Sequence, residues 1–281
     1  MKRFWLKPNP QRDRGLEGTA EAAGILLQMG AELVMEEADS SVRRLEGVRY
    51  CSPKEAERFA QGVLVFGGDG TLLQAAHGTS LPLLGINFGH LGFITELKRG
   101  ENEVFSRLLE DDFHIERRMM LSCVRVHEGK AGEPFHALND VVAFRGGQSH
   151  MIRLKVQIDG GVAETYLADG LVVSTPTGST AYALSAGGSI LEPEMEAIEI
   201  TPVCPHMLRT RPLVVSPGRQ IRLTPMEDSR VDVSSDGVPL YEIGREDCLN
   251  LQKSDRVTRL IRVHSRSFYD ILHEKLGNDR S

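Results

Sequence analysis

The chain has 281 residues with 33 basic against 39 acidic side chains, a formal charge of −6 with no long block of either sign, which argues against nucleic acid as a partner. Cys51, Cys123, Cys204 and Cys248 form no C-x-x-C pair, so neither a structural zinc site nor a disulfide framework is expected, and a reducing, cytoplasmic setting fits. Lys2 and Arg3 are followed only by Phe4, Trp5 and Leu6 before Lys7-Pro8, and no run approaches membrane-spanning length, so no signal peptide and no membrane association are expected.

At this length two domains are expected. Arg3 to Lys7 reads as a first strand, closed by Pro8-Asn9-Pro10. Leu16, Ala20, Ala23 and Leu27 fall at helical spacing, with Gly30 just past the helix end, and Ala31 to Met35 is a second strand. Ser52-Pro53-Lys54-Glu55 has the cap serine, first-turn proline and returning glutamate of a helix start, and that helix should run to about Ala60. The apolar strand Gly62 to Phe66 then leads into Gly67-Gly68-Asp69-Gly70-Thr71 and a helix from about Leu72. A strand from Leu81 to Asn87, a second glycine turn at Phe88 to Phe93 and a helix from Glu101 to Leu109 follow. Strands alternating with helices imply parallel pairing, with ligand sites at the strands' carboxyl ends.

Beyond His114 short alternating segments take over: Leu121 to His127, Ala137 to Phe144, Arg153 to Ile158 and Val162 to Leu167, the last two joined by the hairpin signal Asp159-Gly160. Leu171 to Ser174 is a buried strand, Ala181 to Ala186 a short helix, and strands resume at Leu213 to Val215, Gln220 to Leu223, Arg230 to Ser234 and Arg256 to Val263. Phe268 to Leu276 is helical by pattern. The expected architecture is therefore α/β plus all-β: an open, Rossmann-like α/β domain over residues 1–113, an antiparallel β-sandwich-like domain over 114–255, and a segment 256–281 whose helix returns to the first domain.

Asp69 is the first candidate for chemistry. Glycines let a ligand approach the backbone, and the helix start beyond them offers unpaired N–H groups to a phosphate, so a carboxylate there either caps the helix or acts on the ligand. The turn is neither the G-x-x-x-x-G-K-[ST] loop nor the G-x-G-x-x-G fingerprint. Asn139-Asp140 and Asp169-Gly170 read alone as turns or strand starts, and His150 as an exposed loop residue. Thr177 to Tyr182 gathers hydroxyls and a glycine at a helix start, which suits a capping loop and a donor cluster equally. Arg117-Arg118, Arg209 and Arg211 read as surface charges. No histidine stands at a metal-ligand spacing with a cysteine or carboxylate, so no protein-built metal site is expected.

Taken together, several segments resemble the NAD kinase family. They are Phe66 to Leu73, Gly85 to Phe93, Leu138-Asn139-Asp140, the long stretch Asp169 to Tyr182 with Ser185 to Gly188, Pro202 to His206, and Arg211 to Val214. The resemblance spans roughly residues 62–240 in order, and the Asp169 to Gly188 stretch is far more specific than the glycine turn. It implies phosphorylation of the adenosine ribose 2′-hydroxyl of NAD by ATP to give NADP, with Mg²⁺ arriving on the nucleotide and a homodimer or homotetramer. By that analogy Asp69 accepts the hydroxyl proton and Gly70 shapes the loop beside it. Asn139 and Asp140 hold the dinucleotide, joined by Asp169 and by Thr177, Gly178, Ser179, Thr180, Ala181 and Tyr182. His150, Leu167 and Ser185 fall on positions that often contribute. Three residues depart from the family pattern: Asp140 where glutamate is usual, Val238 where glutamine is frequent, and Glu192 where histidine often precedes proline. The rivals are a diacylglycerol- or sphingosine-type lipid kinase, which shares the glycine turn, and a non-catalytic NAD-sensing module.

Overall fold

A computed structural model describes residues 1–89, 92–147, 149–226 and 230–277. The chain forms two compact units, residues 1–117 with 258–281, and residues 118–257. Among the described residues no helix is long and apolar enough to cross a membrane.

In the first unit the strands are parallel, in the spatial order Arg49–Cys51, Glu32–Glu36, Arg3–Pro8, Gly62–Gly67, Leu83–Asn87. Leu260, near the end of the long strand Asp247–Arg262, pairs in parallel with Leu83 beyond them. Helices Glu17–Gln28, Pro53–Phe59 and Asp69–Gly78 connect the strands. The strand Gly62–Gly67 is buried throughout, as its continuous apolar run requires of a central parallel strand. Phe4, Leu6, Leu26, Leu33, Leu64, Phe66, Leu84, Phe105 and Leu108 pack into one core. The strand order turns back between Arg3–Pro8 and Gly62–Gly67, so the crevice at their carboxyl ends is a topological switch point, where open α/β sheets bind ligands. Asp69 stands at that point.

The second unit is a sandwich of antiparallel sheets. One contains Gly161–Ala168, Ile152–Ile158, Ile221–Met226 and the Leu249 to Leu251 part of Asp247–Arg262, while Phe135–Ala137 pairs with His114–His127. The other runs Leu213–Val215, Ile198–Val203, Gly170–Ser174, Asp140–Phe144, Val231–Ser235, Val238–Ile243. Alternate residues of both, Ile152, Leu154 and Val156 from one and Val141, Ala143, Leu171 and Val173 from the other, share a core. At the hairpin tip Asp159 and Gly160 have φ of 49° and 84°, the positive pair that an Asp-Gly two-residue turn supplies.

The structure adds the edge strands Arg49–Cys51 and Val238–Ile243, which the sequence reading did not name, and departs from it further as follows. The helix after the glycine turn starts at Asp69 rather than Leu72. Ala137 to Phe144 is two strands, Phe135–Ala137 and Asp140–Phe144, because the N–H groups of Leu138, Asn139 and Asp140 turn away from the ladder to the Asp236 carboxylate. Ile198–Val203 is a strand buried along its whole length, and its Glu199, Thr201 and Pro202 hid it from an apolar-run criterion. The long strands His114–His127 and Asp247–Arg262 begin earlier than their apolar cores suggest. The C-terminal helix Phe268–Leu276 is capped by Ser267 and Asp270, and its Phe268 ring lies 6.5 Å from that of Phe93 in the first unit.

Candidate active site

In the first unit the site is built on the strand–turn–helix from Gly62 to Gly78. Gly68, in extended backbone, is the N-cap, so Asp69 occupies the first helical turn and caps nothing. Its carboxylate reaches instead into the loop that follows Asn87. Oδ2 accepts from the Phe93 N–H at 2.7 Å, and Oδ1 accepts from the Thr95 N–H at 3.1 Å and from the Thr95 hydroxyl at 2.9 Å. A carboxylate offers about four acceptor positions, so among the described residues one position on Oδ2 stays open. Further hydrogen bonds fix the donors. The Thr95 hydroxyl also accepts from Asn87 Nδ2 at 3.0 Å and from the Gly92 N–H at 3.1 Å, and Asn87 Oδ1 accepts from the Gly89 N–H at 2.7 Å.

The glycines have steric reasons here. A Cβ on Gly92 would stand 1.8 Å from Asp69 Oδ1, and one on Gly67 would stand 2.3 Å from the Thr71 hydroxyl. Gly70 is exposed, with open space where its side chain would be. His90 and Leu91 of this turn lie outside the described residues. Asn9, read from sequence only as part of a Pro-rich turn, belongs to the same switch point: its Nδ2 donates to Thr71 Oγ1 at 2.9 Å.

In the second unit Asn139 and Asp140 form a corner at the start of Asp140–Phe144. The Asp236 carboxylate accepts all three successive N–H groups, Leu138 at 2.8 Å, Asn139 at 2.7 Å and Asp140 at 3.1 Å, and the Asp236 N–H returns a bond to the Asp140 carbonyl at 3.0 Å. From the other side the Thr175 N–H donates to the Asn139 carbonyl at 2.8 Å and the Thr175 hydroxyl to the Leu138 carbonyl at 2.5 Å. Gly178 lies so close that a Cβ would stand 2.1 Å from the Asn139 carbonyl oxygen. The corner and the Thr175 to Thr180 turn are thus one rigid piece. Thr177, Gly178 and Ser179 are buried in it, while Thr180 and Ala181 are half-exposed.

Arg118 corrects the surface-charge reading. It is only 3% exposed, and its Nη1 donates to Thr177 Oγ1 at 3.2 Å. Tyr182 is exposed at the start of the short helix Tyr182–Ser185. Partial burial, and then the acidic groups of Cys204, Asp140 and Asp169, raise its phenol pKa, so these side chains share one neighbourhood. Asp169 pairs with Arg145 at 3.0 Å. Leu167 is half-buried, and its carbonyl accepts from the His206 N–H at 2.8 Å, which ties the Leu167 to Asp169 segment to the loop after Val203. Ser185 is exposed at the helix end. His150 is exposed in a bend, and among the described residues no hydrogen bond or ion pair ties it to the others. Val238 lies on the outer strand Val238–Ile243, and Glu192 is exposed. Asp236, the acceptor that makes the corner, escaped the sequence reading because Asp-Gly signals a turn whether or not its carboxylate is used.

Asp140 is the titratable group here. Burial first, and the Asp236 carboxylate second, push its carboxyl up to about 7. Because that lies above the unfolded value near 3.8, the folded chain binds the extra proton, and stability present at low pH is lost as pH rises from about 4 through 7. Asp140→Asn, which cannot ionise, is expected to flatten this fall. Thermal unfolding at pH 5 and pH 8 should show a smaller difference in the variant than in the parent.

Among the described residues no group of three or more His, Cys, Asp or Glu is placed to hold a metal ion.

The two halves of the chain match two family models, the ATP-NAD kinase N-terminal domain over residues 19–114 and the ATP-NAD kinase C-terminal domain over 138–263. The NAD kinase of Caldanaerobacter subterraneus subsp. tengcongensis is 39% identical over 98% of this chain and 99% of its own length. That of Thermoanaerobacter sp. (strain X514) is 38% identical over 98% and 99%. Among solved structures, yeast NADH kinase complexed with NADH superposes with a TM-score of 0.89 at 25% identity, covering 100% of this chain and 89% of that one. An NAD kinase from Archaeoglobus fulgidus in complex with ATP shares the fold at a TM-score of 0.75 and 24% identity, over 97% and 98%.

Proposed function

The chain belongs to the NAD kinase family, and from that premise we propose how its residues divide the work of phosphorylating NAD. It is an ATP-dependent NAD kinase, which transfers a phosphoryl group to the 2′-hydroxyl of the adenosine ribose and yields NADP. Neither the lipid-kinase nor the sensing-module alternative is favoured, since the relatives named NAD kinase match over nearly the whole chain.

Phosphoryl transfer asks a protein chiefly for alignment and charge stabilisation, with a group to take the nucleophile's proton. Asp69 takes that proton. The observation that carries this reading is the open acceptor position on Oδ2 at the switch point, beside two N–H donors and a hydroxyl that hold the carboxylate still. Gly70 leaves the approach to it unobstructed, and backbone amides of the glycine turn face the phosphates. Asn139, Asp140, Asp169 and the run Thr177, Gly178, Ser179, Thr180, Ala181 and Tyr182 bind the dinucleotide, with Leu167, Ser185 and His150 at its margin. Protonated Asp140 donates a hydrogen bond to a ligand oxygen, whereas ionised Asp140 only accepts. Bound to the nucleotide, Mg²⁺ would supply positive charge to the phosphate oxygens. The working form is a homodimer or homotetramer in the cytoplasm.

The purified chain with NAD, MgATP and an NADP-specific dehydrogenase as reporter is expected to give a signal that requires both substrates. Absence of NADP, or phosphorylation of diacylglycerol in its place, overturns the reading.

A further inference from the structure

The loop that holds Asp69 is itself held. Arg262 closes the strand Asp247–Arg262, its side chain 7% exposed, and its guanidinium spans three acceptors. Nε donates to Glu116 Oε2 at 2.8 Å, and Nη1 donates to Glu96 Oε2 at 3.0 Å and to the Ile94 carbonyl at 3.2 Å. Glu96 Oε1 then accepts from the N–H groups of Val263 at 2.9 Å and His264 at 2.7 Å. Ile94 lies between Phe93 and Thr95, the two residues whose N–H groups hold the Asp69 carboxylate. The backbone of this loop is therefore clamped on both faces: Asp69 takes the amides of Phe93 and Thr95, and Arg262 takes the carbonyl between them.

We propose that Arg262 is a positioning residue for Asp69, acting through the loop 92–96. The proposal rests on the reading of Asp69 as proton acceptor. It gives the return of the chain to the first unit a catalytic consequence. Residues 262–264 fasten the loop through Ile94 and Glu96, and the Phe268 ring packs near Phe93, so that the donors to Asp69 stand at fixed places before substrate arrives. A planar fork reaching three acceptors is what arginine provides and lysine, a single ammonium, does not.

Arg262→Lys keeps the charge and loses the fork. It is expected to lower kcat about 10- to 100-fold while the KM values for NAD and ATP stay within about twofold, since the substrates' contacts are untouched and only the alignment of Asp69 is lost. Hydrogen–deuterium exchange at the Phe93 and Thr95 amides should accelerate, with exchange in Gly62–Gly67 unchanged. Glu96→Gln, which keeps an acceptor for Val263 and His264 but loses the ion pair, should do the same in smaller measure and serves if Arg262→Lys does not fold. Leu26→Ala, a core truncation in the same unit, should lower Tm without moving kcat or loop exchange. Unchanged loop exchange in the folded variants overturns the proposal whatever Asp69 does. So does faster exchange with parental kcat, a loss confined to KM, or an equal response in Leu26→Ala. Normal turnover by Asp69→Asn beside faster loop exchange in Arg262→Lys would instead locate the failure in the proton-acceptor reading.

Discussion

Asp69→Asn is expected to fold, to bind both substrates and to lose about 10²- to 10⁴-fold in kcat, the range over which a positioned general base contributes. Asp69 caps no helix, so whether the variant folds depends on the loop donors its carboxylate holds. Asparagine keeps one oxygen, which can accept from the Thr95 N–H and hydroxyl as Oδ1 does, while its amide nitrogen faces the Phe93 N–H where Oδ2 accepts. One donor then loses its partner, at a cost of about 1–3 kcal/mol, tolerable for a domain of ordinary stability. The open position on the substituted side becomes a donor and cannot take a proton. Single-turnover assays with saturating NAD and MgATP, beside a thermal melt, separate the two effects. Parental turnover in a folded Asp69→Asn removes Asp69 from the chemistry.

Much of the fold was legible where its signals are local. The apolar run Gly62 to Phe66, the serine–proline–glutamate start at Ser52 and the Asp159-Gly160 hairpin each state their structure within a few residues, and each forms as read. What escaped depends on distance along the chain. The donors to Asp69 lie 24 and 26 residues away, and those to Asp236 lie 96 to 98 residues away, so no window on the sequence contains both partners. The same holds for Arg118, whose buried guanidinium meets Thr177 across 59 residues. Burial of polar side chains has no local signature either. Glu199 is fully buried and accepts from the Ser189 N–H at 2.6 Å, yet in sequence it interrupts the apolar pattern of its own strand. The family resemblance assigned Asp69 a ligand without the loop that orients it.

Asp236→Ala is expected to destabilise the second unit strongly. Three N–H groups at the Asn139–Asp140 corner lose their acceptor together, and alanine must also hold the left-handed backbone of residue 236, where φ is 48°. Each orphaned donor costs about 1–3 kcal/mol where water cannot replace the carboxylate, while the left-handed backbone, which aspartate with its own Cβ already bears, adds only what alanine lacks of aspartate's local hydrogen bonding. The corner is half-buried at Asn139, so water recovers part of this, and the expected loss is about 3–6 kcal/mol. Asp236→Asn grades the result. Oδ1 alone accepts from Asn139 and Asp140, so an asparagine oxygen there keeps two bonds and gives up only that to Leu138, and asparagine tolerates positive φ. Its loss should be about 1–3 kcal/mol. Both variants should raise the KM for NAD more than that for ATP if Asn139 and Asp140 bind the dinucleotide as proposed. In Asp236→Asn the Asp140 carboxyl also loses the neighbouring charge that helps to raise it, so the decline in stability toward neutral pH should end at lower pH than in the parent. Denaturant melts of the three proteins at pH 5 and pH 8, with KM measured for each substrate, test the whole chain of consequences. A parental KM for NAD in a destabilised Asp236→Ala would show that the corner supports the fold without serving the ligand.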